Sequence, residues 1–571
     1  VLVKNKRKIA LNAATVLLSL SFVVGCSSNG GNNGGEAATN GNTPANEKPS
    51  NEAATPSNEG TEPESNLFKL GSEPLDLTFY GNYGWYTMPQ WGADPSTKWI
   101  QDNFKVNITG ISSGGNNAQK LQTMIAGNQL PDIIWGERDD NMNRLRESGL
   151  LVPLDEYIDK YPNFKKWMDP KVRKLLTAPD GKIYTLPNYY TNQPNGNAGY
   201  IVNKKMYKAL GSPELKTTDD LYNYLKAVKE KFPDAIPFET GLAKDGHGID
   251  QLFSAFKENN LSFTRYFAVP NGDKFESIYT DPGFRDSSVF SAKLMREKLM
   301  TQDAMTQTED QVKEKLLSGR AAVYASSDPM KLAAEADIAL SSKDPEDGYF
   351  FIDPIVKPGN DVTKTFPGTY NMLGWNVAAI TTSAKNPEAV FALLDWMTGP
   401  EGTAVLFWGP PGADGFWDGF ESDNLTPKFT DRYANDPKGL TEIQAVSANT
   451  IWVGNTVYMD GVKSKYEATL PEEKRNWSTN WQYKVTWKSQ GDATEFVNLF
   501  PIPDTDEGIA YQRVKDIWLK ARAEALFAKS DDEVLKILDK AHKDSMDVDF
   551  QIVLDSYTKK WQDNKAIMNG N

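Results

Sequence analysis

The chain has 571 residues, a formal net charge of −14, 39% hydrophobic residues, two histidines and one cysteine. An acidic chain of this size argues against nucleic acid and anionic lipid headgroups as partners, since both require a net basic footprint. With only His247, His542 and Cys26, a Ser-His-Asp triad, a His-rich zinc site and an internal disulfide lack raw material, whereas carboxylate chemistry stays open.

Lys4, Lys6, Arg7 and Lys8 precede a mostly apolar stretch from Ile9 to Val24, interrupted by Asn12. It falls short of the about 20 apolar residues a membrane span needs, and residues 1–25 read as a secretory signal peptide. Its end, Val23-Val24-Gly25-Cys26, resembles the lipobox of bacterial lipoproteins. That resemblance implies that the Cys26 thiol is acylated and anchors the mature N-terminus to the membrane, in keeping with its being the one cysteine. Residues 26–66, rich in Gly, Asn, Ser, Thr, Pro and Glu, read as a disordered tether behind the lipidated cysteine. A flexible coil of this length spans roughly 35 Å. The body, residues 67–571, stays acidic and is too long for one ordinary core, so two or more lobes are expected.

Within the body, Leu75 to Tyr80 alternates as a strand, and Pro95 to Phe104 has helical spacing. Val106 to Thr109 reads as a strand, Ala118 to Ala126 as a helix stopped at Gly127, and Leu130 to Trp135 as a short buried strand. Met142 to Gly149 is helical. The pattern restarts with a strand at Gly199 to Asn203, helices at Thr218 to Phe232 and Glu309 to Gly319, and a strand at Arg320 to Tyr324. Gly374 to Ile380 is strand-like, and Asn386 to Met397 is a helix with Pro387 at its start. Three helices, Ile509 to Phe527, Asp531 to His542 and Asp549 to Asp563, close the chain. The alternation predicts an α/β fold around a largely parallel sheet.

Met124 to Ile134 and Leu145 to Ile158 resemble extracellular solute-binding proteins of ABC transporters, the broad group that includes maltose-binding protein. Asp180 to Pro187, Leu317 to Tyr324 and Asn386 to Met397 match further landmarks in family order. The long linker and Trp-rich C-terminal third are most similar to the large oligosaccharide-binding lipoproteins of Gram-positive bacteria. The resemblance implies a two-lobed periplasmic-binding-protein-like fold with an interlobe ligand cleft and a helical C-terminal region. It places lobe one at 67–187 with 371–425, and lobe two at 188–370 with 426–571. It also implies a monomeric, non-catalytic receptor at the extracellular face of the cell membrane, without cofactor and without a metal among the site residues, while a structural calcium stiffening one lobe stays open. Such a receptor captures an oligosaccharide and delivers it to an ABC permease.

Flat aromatic side chains suit the C–H faces of a sugar, and polar side chains its hydroxyls. Tyr83, Trp85 and Tyr86 follow the first strand; Trp135, Glu137 and Arg138 follow Leu130 to Ile134. Tyr189, Tyr190 and Asn192 follow the first expected crossing between lobes, and Tyr370, Asn371 and Trp375 sit at the later one. These twelve are the candidate contacts, although Trp and Tyr also fill cores. Trp99 and Trp396 sit in helical patterns and are expected in the core. The loop from Trp408 to Trp417 either borders the cleft or lies apart from it, and Trp477, Trp481 and Trp487 are weaker candidates on lobe two. Asp504-Thr505-Asp506-Glu507-Gly508 lacks the spaced ligands of a calcium loop and reads as a solvated loop. Two alternatives remain: a lipoprotein carbohydrate-active enzyme with paired carboxylates about 5–10 Å apart, and the same fold with a peptide or other small solute.

Overall fold

A computed structural model describes residues 67–570. The expected signal peptide, Cys26 and tether lie outside the described residues, and the remainder forms one compact unit. Nine strands build its two main sheets: β1 (Leu75–Gly81), β2 (Val106–Ile111), β3 (Ile133–Gly136), β4 (Leu186–Asn188), β5 (Gly199–Asn203), β6 (Ile236–Glu239), β7 (Ala321–Ser326), β8 (Tyr349–Ile352) and β9 (Asn376–Ile380). The first sheet has the order β2-β1-β3-β9-β4 and the second β8-β5-β7-β6. Each is the centre of one lobe.

Period-two alternation explains why helices cover both faces of each sheet. In the first sheet, Phe79, Ile133, Trp135, Ala378 and Ile380 enter one core, while Tyr80, Ile134, Val377 and Ala379 enter the core on the opposite face. In the second sheet, Tyr200, Val202 and Val323 face one core and Ile201 and Tyr324 the other. The covering helices are fixed by side-chain caps. Asp94 accepts from the Ser96 and Thr97 N–H groups ahead of helix Pro95–Phe104, and capping boxes open Thr218–Lys231 and Glu309–Leu317.

The expectation of largely parallel pairing is corrected. β1 runs parallel to β2 and β3, and β6 parallel to β7. β9 is antiparallel to β3 and β4, and β5 is antiparallel to β7 and β8. β9 and β5 are the strands by which the chain enters a lobe from the other one, and they arrive from the opposite end of the sheet.

The expected lobe boundary at 426 is also corrected. Leu440, Ile451, Trp452, Tyr458 and Val462, on or between helices Pro437–Thr450 and Thr456–Glu467, belong to the first lobe's core. Trp452 stacks on Phe79 with ring centroids 3.9 Å apart, a contact about 0.5–1.5 kcal/mol beyond its area burial. The closing helices Asp506–Leu526, Asp531–Met546 and Phe550–Met568 form a separate core with residues 253–292. Thr505 caps the first of these, with Asp506 and Glu507 in its first turn, so the acidity of that loop complements a helix dipole. Among the described residues, no helix is long and apolar enough to cross a membrane.

Candidate functional site

Three strands of the first sheet converge their ends at one place. β1 and β3 are parallel, with Gly81 beside Trp135. β9 is antiparallel, so its beginning lies beside the end of β3, with Val377 opposite Gly136. The loops after β1 and β3 and the turn before β9 therefore meet although they are far apart in sequence. This is the carboxyl edge of the parallel pair, where open α/β sheets place ligands.

Trp135 forms the base, fully buried, with edge-on or tilted contacts to Tyr83, Tyr86 and Trp375 at centroid distances of 5.0, 5.2 and 5.3 Å. Tyr83 is flanked by Trp85 at 5.0 Å and Trp375 at 5.7 Å, each inclined to it by 35°. These two indoles are 47% and 39% exposed, while Tyr83 and Tyr86 are buried. The result is an apolar platform with two open indoles on a rigid, desolvated base.

The polar rim starts at the Tyr83 hydroxyl. It accepts from Asn376 Nδ2 at 3.0 Å and donates to Glu137 Oε1 at 3.1 Å. The other Glu137 oxygen lies 4.0 Å from Arg265, which the short turn Phe263–Tyr266 brings in from the second lobe. Burial raises the Glu137 carboxyl above its ordinary pKa, against the opposing charges of Arg265 and Arg138. Asp139 is pushed up to about 7 by burial and by Asp140. Two polar atoms, Trp135 Nε1 and Asn376 Oδ1, are buried without a protein partner.

Arg138, expected on the ligand, instead holds the turn that carries Trp375. Its guanidinium donates to the Leu373 and Gly374 carbonyls at 3.0 and 2.7 Å, and more distantly to Asn376 O and Asn371 Oδ1. Burial lowers its pKa to about 10. Asn371 Oδ1 also accepts from the Leu373 N–H at 3.0 Å.

Eight expected residues thus come together: Tyr83, Trp85, Tyr86, Trp135, Glu137, Arg138, Asn371 and Trp375. The other four make no ring contact with this group. Tyr190 is an interior residue, 1% exposed, its hydroxyl 2.8 Å from Thr398 Oγ1. Tyr189 packs near Gly454 at a positive φ of 55°. Asn192 is exposed, and Tyr370 lies in a small sheet with Gln490–Asp492. Trp408 and Trp417 are buried in the first core. Trp477 and Trp481 pack on Phe351, and Trp99 stacks with Trp396 at 6.2 Å.

Sequence reasoning missed Arg265 and Gln512, the latter donating to Asp140 at 2.7 Å from the closing helices. A cation between aromatics in Phe263-Thr264-Arg265-Tyr266-Phe267 was the available signal for the first. Gln512 carried none.

Residues 97–404, more than half of the chain, match the family of bacterial extracellular solute-binding proteins. The chain belongs to this family. This solute-binding protein is 29% identical over 233 residues to the fructooligosaccharide ABC transporter substrate-binding protein FusA of Streptococcus pneumoniae, covering 37% of this chain and 43% of that one. It is 28% identical over 236 residues to the polygalacturonan/rhamnogalacturonan-binding protein YtcQ of Bacillus subtilis, covering 39% and 44%. The chain therefore aligns with less than half the length of either relative. The solved structure of FusA with kestose matches at a TM-score of 0.65 and 19% identity, over 86% of this chain and 99% of that one. The alginate-binding protein AlgQ2, without calcium ion, matches at 0.65 and 18%, over 86% and 98%. The two-lobed fold is shared with these proteins.

Proposed function

We propose that this chain is the lipid-anchored, extracellular substrate-binding component of an ABC importer, capturing an oligosaccharide between its lobes and handing it to a membrane permease. The observation that carries the reading is the pair of part-exposed indoles, Trp85 and Trp375, flanking buried Tyr83, whose partner Glu137 lies 4.0 Å from Arg265 of the opposite lobe. Flat rings stack on sugar C–H faces, and Glu137 and Arg265, both part-exposed, offer an acceptor and donors for hydroxyls. The names of FusA and YtcQ, both carbohydrate binders, support the same ligand class. In this reading the protein works as a monomer without catalysis, and lipidated Cys26 keeps it at the membrane. Lobe one comprises residues 67–187 and 371–470, and the rest of the body forms lobe two.

A thermal-shift screen of the body against oligosaccharides, with peptides as controls, tests the proposal. A ligand at a hundredfold excess over its Kd stabilises the native state by about 2.7 kcal/mol. A rise in Tm with one glycan class, without new reducing ends on prolonged incubation, is the expected outcome. A response to peptides alone, or glycan turnover, would overturn it.

A further inference from the structure

Resting on the reading just given, we infer that the site takes acidic oligosaccharides, with Arg265 of the second lobe receiving the uronate carboxylate of a sugar stacked on the indole platform. Arg265 differs from the cations around it in having donors to spare. The Arg138 guanidinium donates to the Leu373 and Gly374 carbonyls at 3.0 and 2.7 Å. Lys560 Nζ donates to the Leu499 and Phe500 carbonyls at 3.1 and 2.7 Å, and Arg522 donates to Asp250 at 2.8 Å. The Arg265 side chain is 39% exposed and, among the described residues, donates no hydrogen bond, with Glu137 standing off at 4.0 Å. Its planar fork is charged at every working pH and matches a carboxylate with two parallel N–H donors.

The turn that carries Arg265 is fixed from below. Phe263, Tyr266 and Phe267 are buried in the core of the closing helices, and the Thr264 hydroxyl donates to Asp250 at 2.9 Å. Arg265 Cζ lies 5.4 Å from the ring centroids of both Tyr266 and Phe500, so aromatic faces hold the guanidinium without occupying its N–H groups. Glu137 links this cation to the platform. One of its oxygens accepts from the Tyr83 hydroxyl at 3.1 Å, and the Tyr83 ring lies beside both Trp85 and Trp375. A uronate stacked on either indole carries its carboxylate at the ring edge, and turned towards the second lobe it meets Arg265. Glu137 and Asp139 oppose that arrival weakly, because burial raises both carboxyls towards their neutral forms. A hydroxymethyl group at the same ring position offers Arg265 an uncharged acceptor, which makes the weaker bond.

The test is calorimetric titration of the protein with oligosaccharides that differ only at C6, 1,4-linked galactotriose against trigalacturonate. The uronate is expected to bind at least tenfold more tightly than the neutral sugar, and its affinity to fall more steeply between low and physiological ionic strength. In Arg265→Gln the ratio of uronate to neutral affinity is expected to drop at least tenfold. Arg265→Lys, which keeps the charge but not the fork, should restore part of that ratio. Equal or tighter binding of the neutral sugar by the unmodified protein would overturn the inference and leave the oligosaccharide reading standing. A ratio unchanged in Arg265→Gln would overturn the assignment to this residue. Failure of both sugars to bind would overturn the inference together with the reading beneath it. The wild-type ratio remains decisive against the inference even if neither variant folds.

Discussion

Trp85 and Trp375 carry the most exposed apolar surface of the site, yet each rests on a buried ring. In the proposed reading, truncating either removes ligand contact without opening the core. Trp85→Ala and Trp375→Ala are expected to weaken sugar binding by roughly tenfold to a hundredfold, the equivalent of about 1.5–3 kcal/mol of aromatic burial. Their unliganded stability should stay within about 0.5 kcal/mol of wild type, as for other exposed positions. Calorimetry and denaturant titration check the two halves. Asp139 makes a different prediction. It caps helix Asp140–Glu147 through the Asn141 and Met142 N–H groups, at 3.0 and 3.2 Å. Its pKa in the folded protein is about 7, raised above the ordinary value of about 4. The folded state therefore binds the proton more tightly than the unfolded state, and this residue's contribution to stability falls as pH rises from about 4 to about 7. Asp139→Asn retains a capping oxygen and does not titrate, so Tm should decline less over that interval than in wild type. Equal slopes would refute the assignment.

At the scale of elements, the segment between Asn371 and Asn376 shows what local sequence can and cannot reveal. Gly374 is in the left-handed region at φ +67°, and a Cβ there would overlap the Asn188 carbonyl where the two crossings between lobes meet. Gly374→Ala should cost about 1–2 kcal/mol for the backbone conformation and a further 1–3 kcal/mol for the overlap. Gly272→Ala, at φ +61° with open space around it, should show the first cost alone. Unfolding midpoints separate the two, and equal losses would contradict the packing argument. The helices Pro95–Phe104, Thr218–Lys231 and Pro387–Thr398 were legible because caps, Pro positions and apolar spacing are local. The direction of β9 was not, because it depends on the end of the sheet at which a returning chain arrives. The allegiance of helix Thr456–Glu467 was equally hidden: an apolar face shows that a helix is covered, not which sheet covers it. Asp395 illustrates the same limit. From within a helix it caps another, accepting from the Asn163 and Phe164 N–H groups at 3.2 and 2.8 Å. Asp395→Ala should cost about 1–3 kcal/mol by leaving those buried donors unpaired, a loss readable in the same denaturant assay.

At the scale of the whole molecule, Gln512 of the closing helices and Asn498 ahead of them tie the lobes, the first donating to Asp140 and the second to the Leu175 carbonyl at 2.6 Å. The clustering of the aromatic half of the candidate site was readable from sequence because loop-borne Trp and Tyr clusters follow recognisable strands. The polar half was not. Arg138 has carbonyl partners more than 230 residues away, and Arg265 gains its meaning only when the second lobe presents it to Glu137. The most direct test is a crystal structure of the body with a bound oligosaccharide. The expected structure has a sugar ring stacked on Trp85 or Trp375, hydroxyls within hydrogen-bond distance of Glu137 or Arg265, and contacts from both lobes. A ligand seated elsewhere, or held by one lobe away from Tyr83, would contradict it.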